Sequence, residues 1–375
     1  LSLAALFLST PLNGLSPSLS LIAEDFGFTD AERDLYLGGY VGIATMLGQM
    51  IGSILAGMMT DSYSRSRILV GALLLNSAAA ASFSSPQVSF YMLLILRVIV
   101  GGCQGIGVPV IFSLIGDFYK QEVRGSVSAV VSSCLGGGMM LGQLFVGYCL
   151  PYTGWRQPFL VLGAASAAAS AFVLSSLVDP PRGGKEEALE DMLDRGIPLP
   201  PMSTTAFVKS MMLPTVVMLV LQTVPNTVPW GVLSTHLHDV LATDAHLSMQ
   251  QATSLIAIFG AGAATGGVFG GFFGAYLYQL DRRYLPLFMG TTLATSSVVL
   301  RNLLQMDLTQ SSTLSSAMPL LLLSGALAAV NGANIRVVMI DLNSPEARGS
   351  SIAVLSFVNC AGRGCGPAAL EAYMS

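Results

Sequence analysis

The segment Ile115-Gly116-Asp117, followed by Arg124-Gly125-Ser126, returns later in the chain as Met339-Ile340-Asp341, followed by Arg348-Gly349-Ser350. In both copies the arginine comes seven positions after the aspartate, and the copies lie 224 residues apart. The same offset relates further identical residues: Ala129 and Ala353, Val130 and Val354, Ser132 and Ser356, Gly138 and Gly362, and Gly142 and Gly366. This many identities at one offset indicate two related halves, as in parallel repeats about an axis along the membrane normal.

The composition around this repeat is that of a membrane protein. Of the 375 residues, 53% are hydrophobic and 10% are charged, and the mean hydropathy is +0.67. An average soluble domain carries about 25% charged residues, so too little charge is present to cover a soluble surface. These values exclude a soluble enzyme and a disordered scaffold, and the net charge of −4 gives no reason to expect a nucleic-acid partner. We expect an integral, multi-pass protein whose partner is the lipid bilayer, and the sequence does not indicate which membrane.

Long apolar runs of the length that a bilayer requires, about 20 residues, recur along the chain. Each predicts a membrane-spanning helix, and prolines inside the seventh are compatible with a helix in a membrane bundle. The eleven predicted segments are 1–23, 35–60, 67–85, 88–116, 124–150, 155–178, 206–234, 248–278, 284–304, 312–340 and 348–375.

A polar stretch at 179–205 divides these segments into an N-terminal bundle, 1–178, and a C-terminal bundle, 206–375. We interpret the stretch as a linker, and the second bundle then lacks its last helix. Lysine and arginine concentrate on the cytoplasmic side of membrane proteins. Twelve of the 17 fall on the predicted linker side, which makes it cytoplasmic: Arg65, Arg67, Lys120, Arg124, Arg182, Lys185, Arg195, Lys209, Arg282, Arg283, Arg336 and Arg348. Three lie on the other side, and we place Arg97 and Arg363 within spans.

The loop after the second segment carries glycine, aspartate and two arginines at fixed spacing, as Gly57-Met-Met-Thr-Asp61-Ser-Tyr-Ser-Arg65-Ser-Arg67. This loop resembles the signature loop of the major facilitator superfamily, although an ordinary basic loop is an alternative. The resemblance implies two pseudo-symmetric six-helix bundles, of which eleven of twelve helices are present. It also implies a breakable gate, in which Arg65 can reach Asp117. We assign to this gate Gly57, Asp61, Arg65, Asp117, Arg124, Asp341 and Arg348.

The fourth segment places Arg97, Gly101 and Gln104 on one helical face, in a pattern similar to the superfamily's fourth helix. A charge within a span usually faces a cavity or a partner. The resemblance implies that helices one, four, seven and ten line a central cavity. The expected substrate-binding residues are Asn13, Arg97, Gln104, Gln222, Asn226, Trp230, Asn331, Asn334 and, from helix eleven, Arg363. Alternatively, Arg97 is held by backbone carbonyls and the amides form hydrogen bonds between helices.

Glycines at every fourth position of the eighth segment predict a face that packs closely against another helix: Gly262, Gly266, Gly270 and Gly274. Gly48 and Gly52 predict the same for the second segment. No spacing typical of a catalytic or metal site is present, so we expect neither an enzyme nor a cofactor.

The segment from Phe357 to Pro367 resembles spinster-like lipid transporters. That family often has an acidic residue in the first helix, where this chain has Asn13, and asparagine does not titrate. Two intramembrane arginines without a nearby acid favour an anionic or zwitterionic substrate. We therefore expect a monomeric secondary transporter that works by alternating access on a small organic anion or a lysolipid-like amphiphile. The alternative is a membrane sensor or receptor that keeps the fold without transporting.

Overall fold

The computed structural model describes residues 1–181, 185, 204–239, 249–304, 306 and 311–374. Within these ranges the secondary structure consists of helices and the turns between them, with no strand. The prediction of an all-α protein is therefore confirmed, and each of the eleven predicted segments contains helix in its described part. Most of the predicted linker, 182–184 and 186–203, lies outside the described residues.

Before the linker, a single α-helical turn at Asp30–Glu32 and a π-helical stretch at Arg33–Tyr40 lead directly into the helix that begins at Val41. The helices of this part are α1 Ser2–Ser9, α2 Leu19–Phe26, α3 Val41–Ser62, α4 Arg65–Ser82, α5 Phe90–Phe118, α6 Gln121–Thr153 and α7 Gln157–Ser176. After the linker follow α8 Thr204–Met211, α9 Pro214–Asp239, α10 Met249–Leu280, α11 Tyr284–Leu304, α12 Ser311–Leu342 and α13 Arg348–Met374.

Two predicted segments are interrupted, and proline explains both interruptions. The first segment divides into α1 and α2, with Pro11, Gly14 and Pro17 between them. The seventh divides into α8 and α9 directly before Pro214, which occupies the first helical position of α9, where its missing N–H costs nothing. Pro225 and Pro229 lie within α9 without ending it, as predicted.

Six stretches of the described residues are long and apolar enough to cross a membrane, judged by length and composition. The remaining predicted spans are shorter, interrupted or more polar. The six are Leu35–Thr60, Phe90–Phe118, Gln121–Thr153, Gln157–Ser176, Ser254–Leu280 and Ser316–Leu342.

The helix contacts repeat between the halves. In the first half α3 packs on α5 and α1 on α6; in the second half the corresponding pairs are α10 with α12 and α9 with α13. Between the halves, α3 contacts α13 and α10 contacts α6. These two pairs correspond to each other under the repeat, because α3 corresponds to α10 and α13 corresponds to α6. The arrangement is therefore pseudo-symmetric, as the repeat predicted.

Glycine makes the closest of these contacts possible, because helix backbones approach to a distance that leaves no room for a side chain. A Cβ atom on Gly48 of α3 would lie 2.1 Å from the carbonyl oxygen of Val98 of α5. In the corresponding pair, a Cβ atom on Gly266 of α10 would lie 2.1 Å from the carbonyl oxygen of Ala326 of α12. The close-packing faces predicted for the second and eighth segments are thus confirmed.

The substitution Gly266→Ala should separate α10 from α12. We expect it to lower the free energy of unfolding by roughly 1–3 kcal/mol, because the added methyl group meets backbone rather than a movable side chain. The measurement is thermal unfolding of the purified protein in detergent. Gly290→Ala in α11 is the matched control, since nothing lies within 4 Å of its added Cβ. Equal midpoints for both variants would contradict the packing argument.

Candidate functional site

A cavity of about 520 Å³ lies between the two halves. Its wall comes from both sides of the repeat, with α3, α5 and α6 facing α9, α10, α12 and α13. The polar or charged lining residues are Asn13, Ser16, Ser20, Arg33, Thr45, Gln49, Arg97, Ser132, Ser133, Gln143, Asn226, Thr227, Arg336, Asn359 and Arg363. Mixed walls of this kind suit a small ligand with both a charged and an apolar part.

Arg97 of α5 binds the non-helical backbone between α1 and α2. Its Nη1 donates to the carbonyl oxygens of Pro11, at 3.1 Å, and Leu12, at 2.7 Å. Those carbonyls lie where α1 has ended, so they need a donor from elsewhere in the fold. The side chain is 1% exposed, its guanidinium lies 5.0 Å from the centre of the Phe83 ring, and its Nε and Nη2 have no hydrogen-bond partner. Arg97 therefore makes a structural contact through Nη1, lines the cavity and keeps two buried nitrogens without a hydrogen-bond partner.

Five of the nine expected substrate-binding residues line the cavity: Asn13, Arg97, Asn226, Trp230 and Arg363. Both Gln104 and Asn334 instead join helices, which is the alternative that the sequence left open. Gln104 Nε2 donates to Ser9 Oγ at 3.2 Å, and Asn334 Nδ2 donates to the carbonyl oxygen of Gly270 at 3.1 Å.

The remaining two amides are not on the cavity wall either. Asn331 is buried in α12, and its side-chain atoms have no hydrogen-bond partner. Gln222 is half-buried in α9 one turn before Asn226. The face shared by Gln222, Asn226 and Trp230 reaches the cavity through the last two alone.

Arg336 corrects the sequence interpretation, which counted it among the cations outside the spans. It lines the cavity from within α12, where its Nη1 donates to Ser132 Oγ at 3.2 Å and to the carbonyl oxygen of Gly332 at 3.0 Å. Its guanidinium also lies 4.8 Å from the centre of the Phe112 ring. Because Arg336 stands six residues before the end of α12, a rise of 1.5 Å per residue puts it about 9 Å inside that end. Its position well before the end of the apolar segment was the sequence signal that could have placed Arg336 within a span.

Other lining residues were missed because uncharged polar groups are common in spans. Gln49 of α3 accepts a hydrogen bond from Cys360 Sγ of α13 at 3.1 Å, which links the halves beside the cavity. Gln143 and Asn359 also line the wall. The glycine-rich surroundings of these residues indicated packing rather than a site.

The charge of the wall is of one sign. Arg33, Arg97, Arg336 and Arg363 line the cavity, and no aspartate or glutamate is among its described lining residues. Charges interact more strongly in a low-dielectric site than in water. The cavity is therefore electrostatically suited to an anion.

On the side of the molecule where the linker begins, charged residues close the space between the halves. Arg65, at the start of α4, forms an ion pair with Asp117 at the end of α5, as predicted. Its backbone N–H donates to Asp179 Oδ2 at 2.9 Å, and its Nη2 donates to the carbonyl oxygen of Pro180 at 2.9 Å. Arg65 thus fixes the start of the linker to the first half.

The two copies of the repeated segment exchange partners across the halves. Arg348 Nη1 lies 3.6 Å from Asp117 Oδ1, and Arg124 Nη1 lies 3.5 Å from Asp341 Oδ1. Both arginines also donate to the carbonyl oxygen of Gly116, at 2.7 Å from Arg124 and 3.3 Å from Arg348. The four side chains are at most 3% exposed, so these are buried pairs.

The two remaining gate residues lie on α3. Gly57 contacts the second half, because Ser350 Oγ donates to its carbonyl oxygen at 3.3 Å and a Cβ atom at Gly57 would be 3.5 Å from that of Ala353. The backbone of Asp61 is in α3, and its side chain lies outside the described part of the chain, so its predicted role stays a prediction.

The sequence model of the Major Facilitator Superfamily matches residues 1–367. The chain belongs to the Major Facilitator Superfamily. It is therefore an integral, multi-pass membrane protein, in the family whose fold is known for alternating access.

Solved structures agree on the fold. The proton:xylose symporter XylE bound to 6-bromo-6-deoxy-D-glucose has a TM-score of 0.72 at 16% identity, and the alignment covers 99% of this chain and 87% of XylE. The human organic anion transporter MFSD10 (TETRAN) has a TM-score of 0.65 at 17% identity, and the alignment covers 98% of this chain and 90% of MFSD10.

Among curated relatives, the Arabidopsis thaliana protein ZINC INDUCED FACILITATOR-LIKE 1 is 27% identical over 142 residues, 37% of this chain and 29% of that protein. The D-xylose transporter of Levilactobacillus brevis is 29% identical over 147 residues, 38% of this chain and 30% of its own length. A putative metabolite transport protein of Haemophilus influenzae is 31% identical over 166 residues, 43% of this chain and 38% of that protein. These alignments thus span less than two fifths of each relative. The relatives are named as transporters or facilitators rather than enzymes.

In this Major Facilitator Superfamily protein, Asp117→Asn should open the linker side. The change leaves Arg65 and Arg348 without their shared carboxylate, and removing one partner of a buried pair costs about 3–5 kcal/mol. The reporter is Thr60→Cys, since Thr60 is 2% exposed and packs under Gly349 of α13. Its labelling by a thiol reagent added from the linker side should become at least about tenfold faster, because the closed state loses that free energy.

Asp281→Asn is the control, since it neutralises an exposed acid in the loop between α10 and α11. It should leave labelling unchanged. Asp341→Asn removes the pair with Arg124 and should accelerate labelling less than Asp117→Asn. A folded Asp117→Asn protein that labels at the parental rate would show that these pairs do not hold the gate.

Proposed function

We propose that this chain is a secondary transporter that moves a small organic anion by alternating access. The observation that carries the proposal is the wall of the central cavity, where Arg97, Arg336 and Arg363 lie on long helices and no acidic residue is among the described lining. A charge within the membrane is unfavourable by about 2.5–3.5 kcal/mol at a helix centre on insertion scales. An anionic substrate would relieve that cost, and a neutral or cationic one would not.

The apolar part of the wall supports an amphiphilic anion. Met139, Met140 and Leu144 of α6 line one side, and on the other the Trp230 and Phe259 rings lie 5.5 Å apart. A volume of about 520 Å³ is within the roughly 300–1,000 Å³ of small-molecule sites. A lysolipid-like molecule is the larger candidate, in line with the local resemblance to spinster-like transporters. The fold is shared with a protein named as an organic anion transporter.

The mechanism follows from the two ends of the cavity. Buried ion pairs hold the linker side closed, so the cavity is reached from the opposite side, where Ser20 and Arg33 line it. Transport would require these pairs to separate while the other side closes. In this proposal the bundles 1–178 and 206–375 move about the linker 179–205 in a single monomer.

Flux into proteoliposomes tests the proposal. Benzenesulfonate, a permanent anion with an apolar ring, should enter, while tetraethylammonium should not. Arg336→Gln should lower the anion flux roughly tenfold to a hundredfold, since a hydrogen bond to a charged group contributes about 1.5–3 kcal/mol. Arg301→Gln is the control, because Arg301 is exposed on α11, and should transport normally.

The result also separates transport from sensing. Binding of anions without flux, in protein that unfolds at the usual temperature, would favour the sensor or receptor. Flux that is the same for the anion and the cation would contradict the role of the arginines.

Transport should not depend on a proton gradient, because the described cavity lining offers no carboxylate to carry a proton. Glu32 lies next to the lining residue Arg33, but it accepts hydrogen bonds from the backbone and hydroxyl of Thr29, which lower the pKa of its carboxyl. Glu32 therefore stays ionised at neutral pH and does not exchange protons there. We expect equal benzenesulfonate uptake with and without an inward proton gradient at a fixed membrane potential. Uphill accumulation driven by the pH gradient alone would overturn this prediction.

A further inference from the structure

Two of the cavity arginines form a like-charged pair on one wall. Arg336 is on α12 and Arg363 is on α13, and these two helices contact each other. Both line the same cavity, where the described wall contains no carboxylate to separate them. Two positive charges on one wall at low dielectric repel each other unless negative charge balances them. A monovalent anion would balance only one of the two charges.

The hydrogen bonds of the pair leave donors unused. Arg336 uses its Nη1 on Ser132 and Gly332, and the buried Nε of Arg363 has no hydrogen-bond partner. A guanidinium is planar and can bind carboxylate or phosphate through two N–H groups. Arg97 is not part of this pair, because it lies on α5 in the first half, where its Nη1 donates to the carbonyl oxygens of Pro11 and Leu12.

We propose that Arg336 and Arg363 together form a subsite for a doubly charged head group, such as a phosphate monoester or a vicinal dicarboxylate. The inference rests on the proposed function, since it specifies the anion that this cavity would take. The apolar residues Met140 and Phe259 line the same cavity and would contact the uncharged remainder of the ligand.

A matched set of ring compounds tests the charge requirement. Phenyl phosphate and phthalate carry two charges at pH 7.5, and benzenesulfonate carries one on a similar ring. Binding to the purified full chain in detergent, measured calorimetrically, should be at least about tenfold tighter for a dianion than for benzenesulfonate, because two charged contacts form instead of one. The two dianions distinguish the sources: preference for phenyl phosphate indicates a phosphate monoester, and preference for phthalate a dicarboxylate.

The ionisation of the ligand gives a second readout. A phosphate monoester gains its second negative charge near pH ~6. Phenyl phosphate binding should therefore strengthen about tenfold between pH 5 and pH 7.5, as the dianion becomes the main form. Benzenesulfonate binding should stay constant over that range, which controls for titration of the protein.

The variants assign the effect to the pair. Arg336→Gln and Arg363→Gln should each weaken phenyl phosphate and phthalate binding more than benzenesulfonate binding, so that the preference for dianions is lost, whereas Arg336→Lys and Arg363→Lys retain the charge and should keep the preference. Arg301→Gln should behave like the parent. Thermal unfolding checks that each variant is folded, and the lysine variants retain the test if a glutamine variant is not.

The outcomes separate the two proposals. Equal affinity for the three compounds, or the lack of any binding, would overturn the dianion subsite, and so would a preference that both glutamine variants retain. If the dianion preference holds but no anion crosses the membrane in proteoliposomes, the subsite stands and the proposed transport function fails.

Discussion

The two ion pairs that cross between the halves join the two copies of the repeated segment on the linker side. A buried charge is stable only with a partner, and each copy of the repeated segment finds its partner in the other copy: Asp117 with Arg348, and Asp341 with Arg124. Gly116 adds a shared carbonyl to both arginines. In the proposed mechanism, closure of the linker side thus depends on the duplicated segment, because each copy supplies an ion-pair partner for the other.

The helices that carry these gate charges also carry the cavity arginines. On α12, Arg336 stands five residues before Asp341, and on α13, Arg363 stands fifteen after Arg348. Arg336 itself bridges the halves through Ser132 of α6. A ligand that bound Arg336 would compete for this bridge, and the rigid helix would carry the change to the gate pair one and a half turns away. In the proposed mechanism, substrate binding at Arg336 and opening of the pair of Asp341 with Arg124 would thus be connected through α12.

Much of this architecture could be predicted from the sequence. Hydropathy located the spans, the repeat predicted the pseudo-symmetry, and spacing predicted the pair of Arg65 with Asp117. What could not be predicted depends on how one helix is turned against another. Gln104 and Asn334 are polar residues within spans like Asn226, yet their partners lie on neighbouring helices. Arg336 was misplaced because residue counts locate a charge along a helix only roughly, while its ring contact with Phe112 is a property of the packed bundle.

The second half departs from symmetry where Tyr278 replaces the acidic residue of the first-half loop. Arg282 accordingly lies 5.9 Å from the centre of the Tyr278 ring, whereas the corresponding Arg65 pairs with Asp117.

When the halves separate, Asp117 keeps Arg65, and both crossing arginines keep carbonyls of their own half: Arg124 that of Tyr119 and Arg348 that of Ile340. Asp341 would lose Arg124 and also the small pocket of about 270 Å³ beside it, which is lined by Gln121 of the first half and Tyr278 of the second half. In the proposed opening, Asp341 would therefore leave a buried pair, while the other three charges keep a partner in their own half.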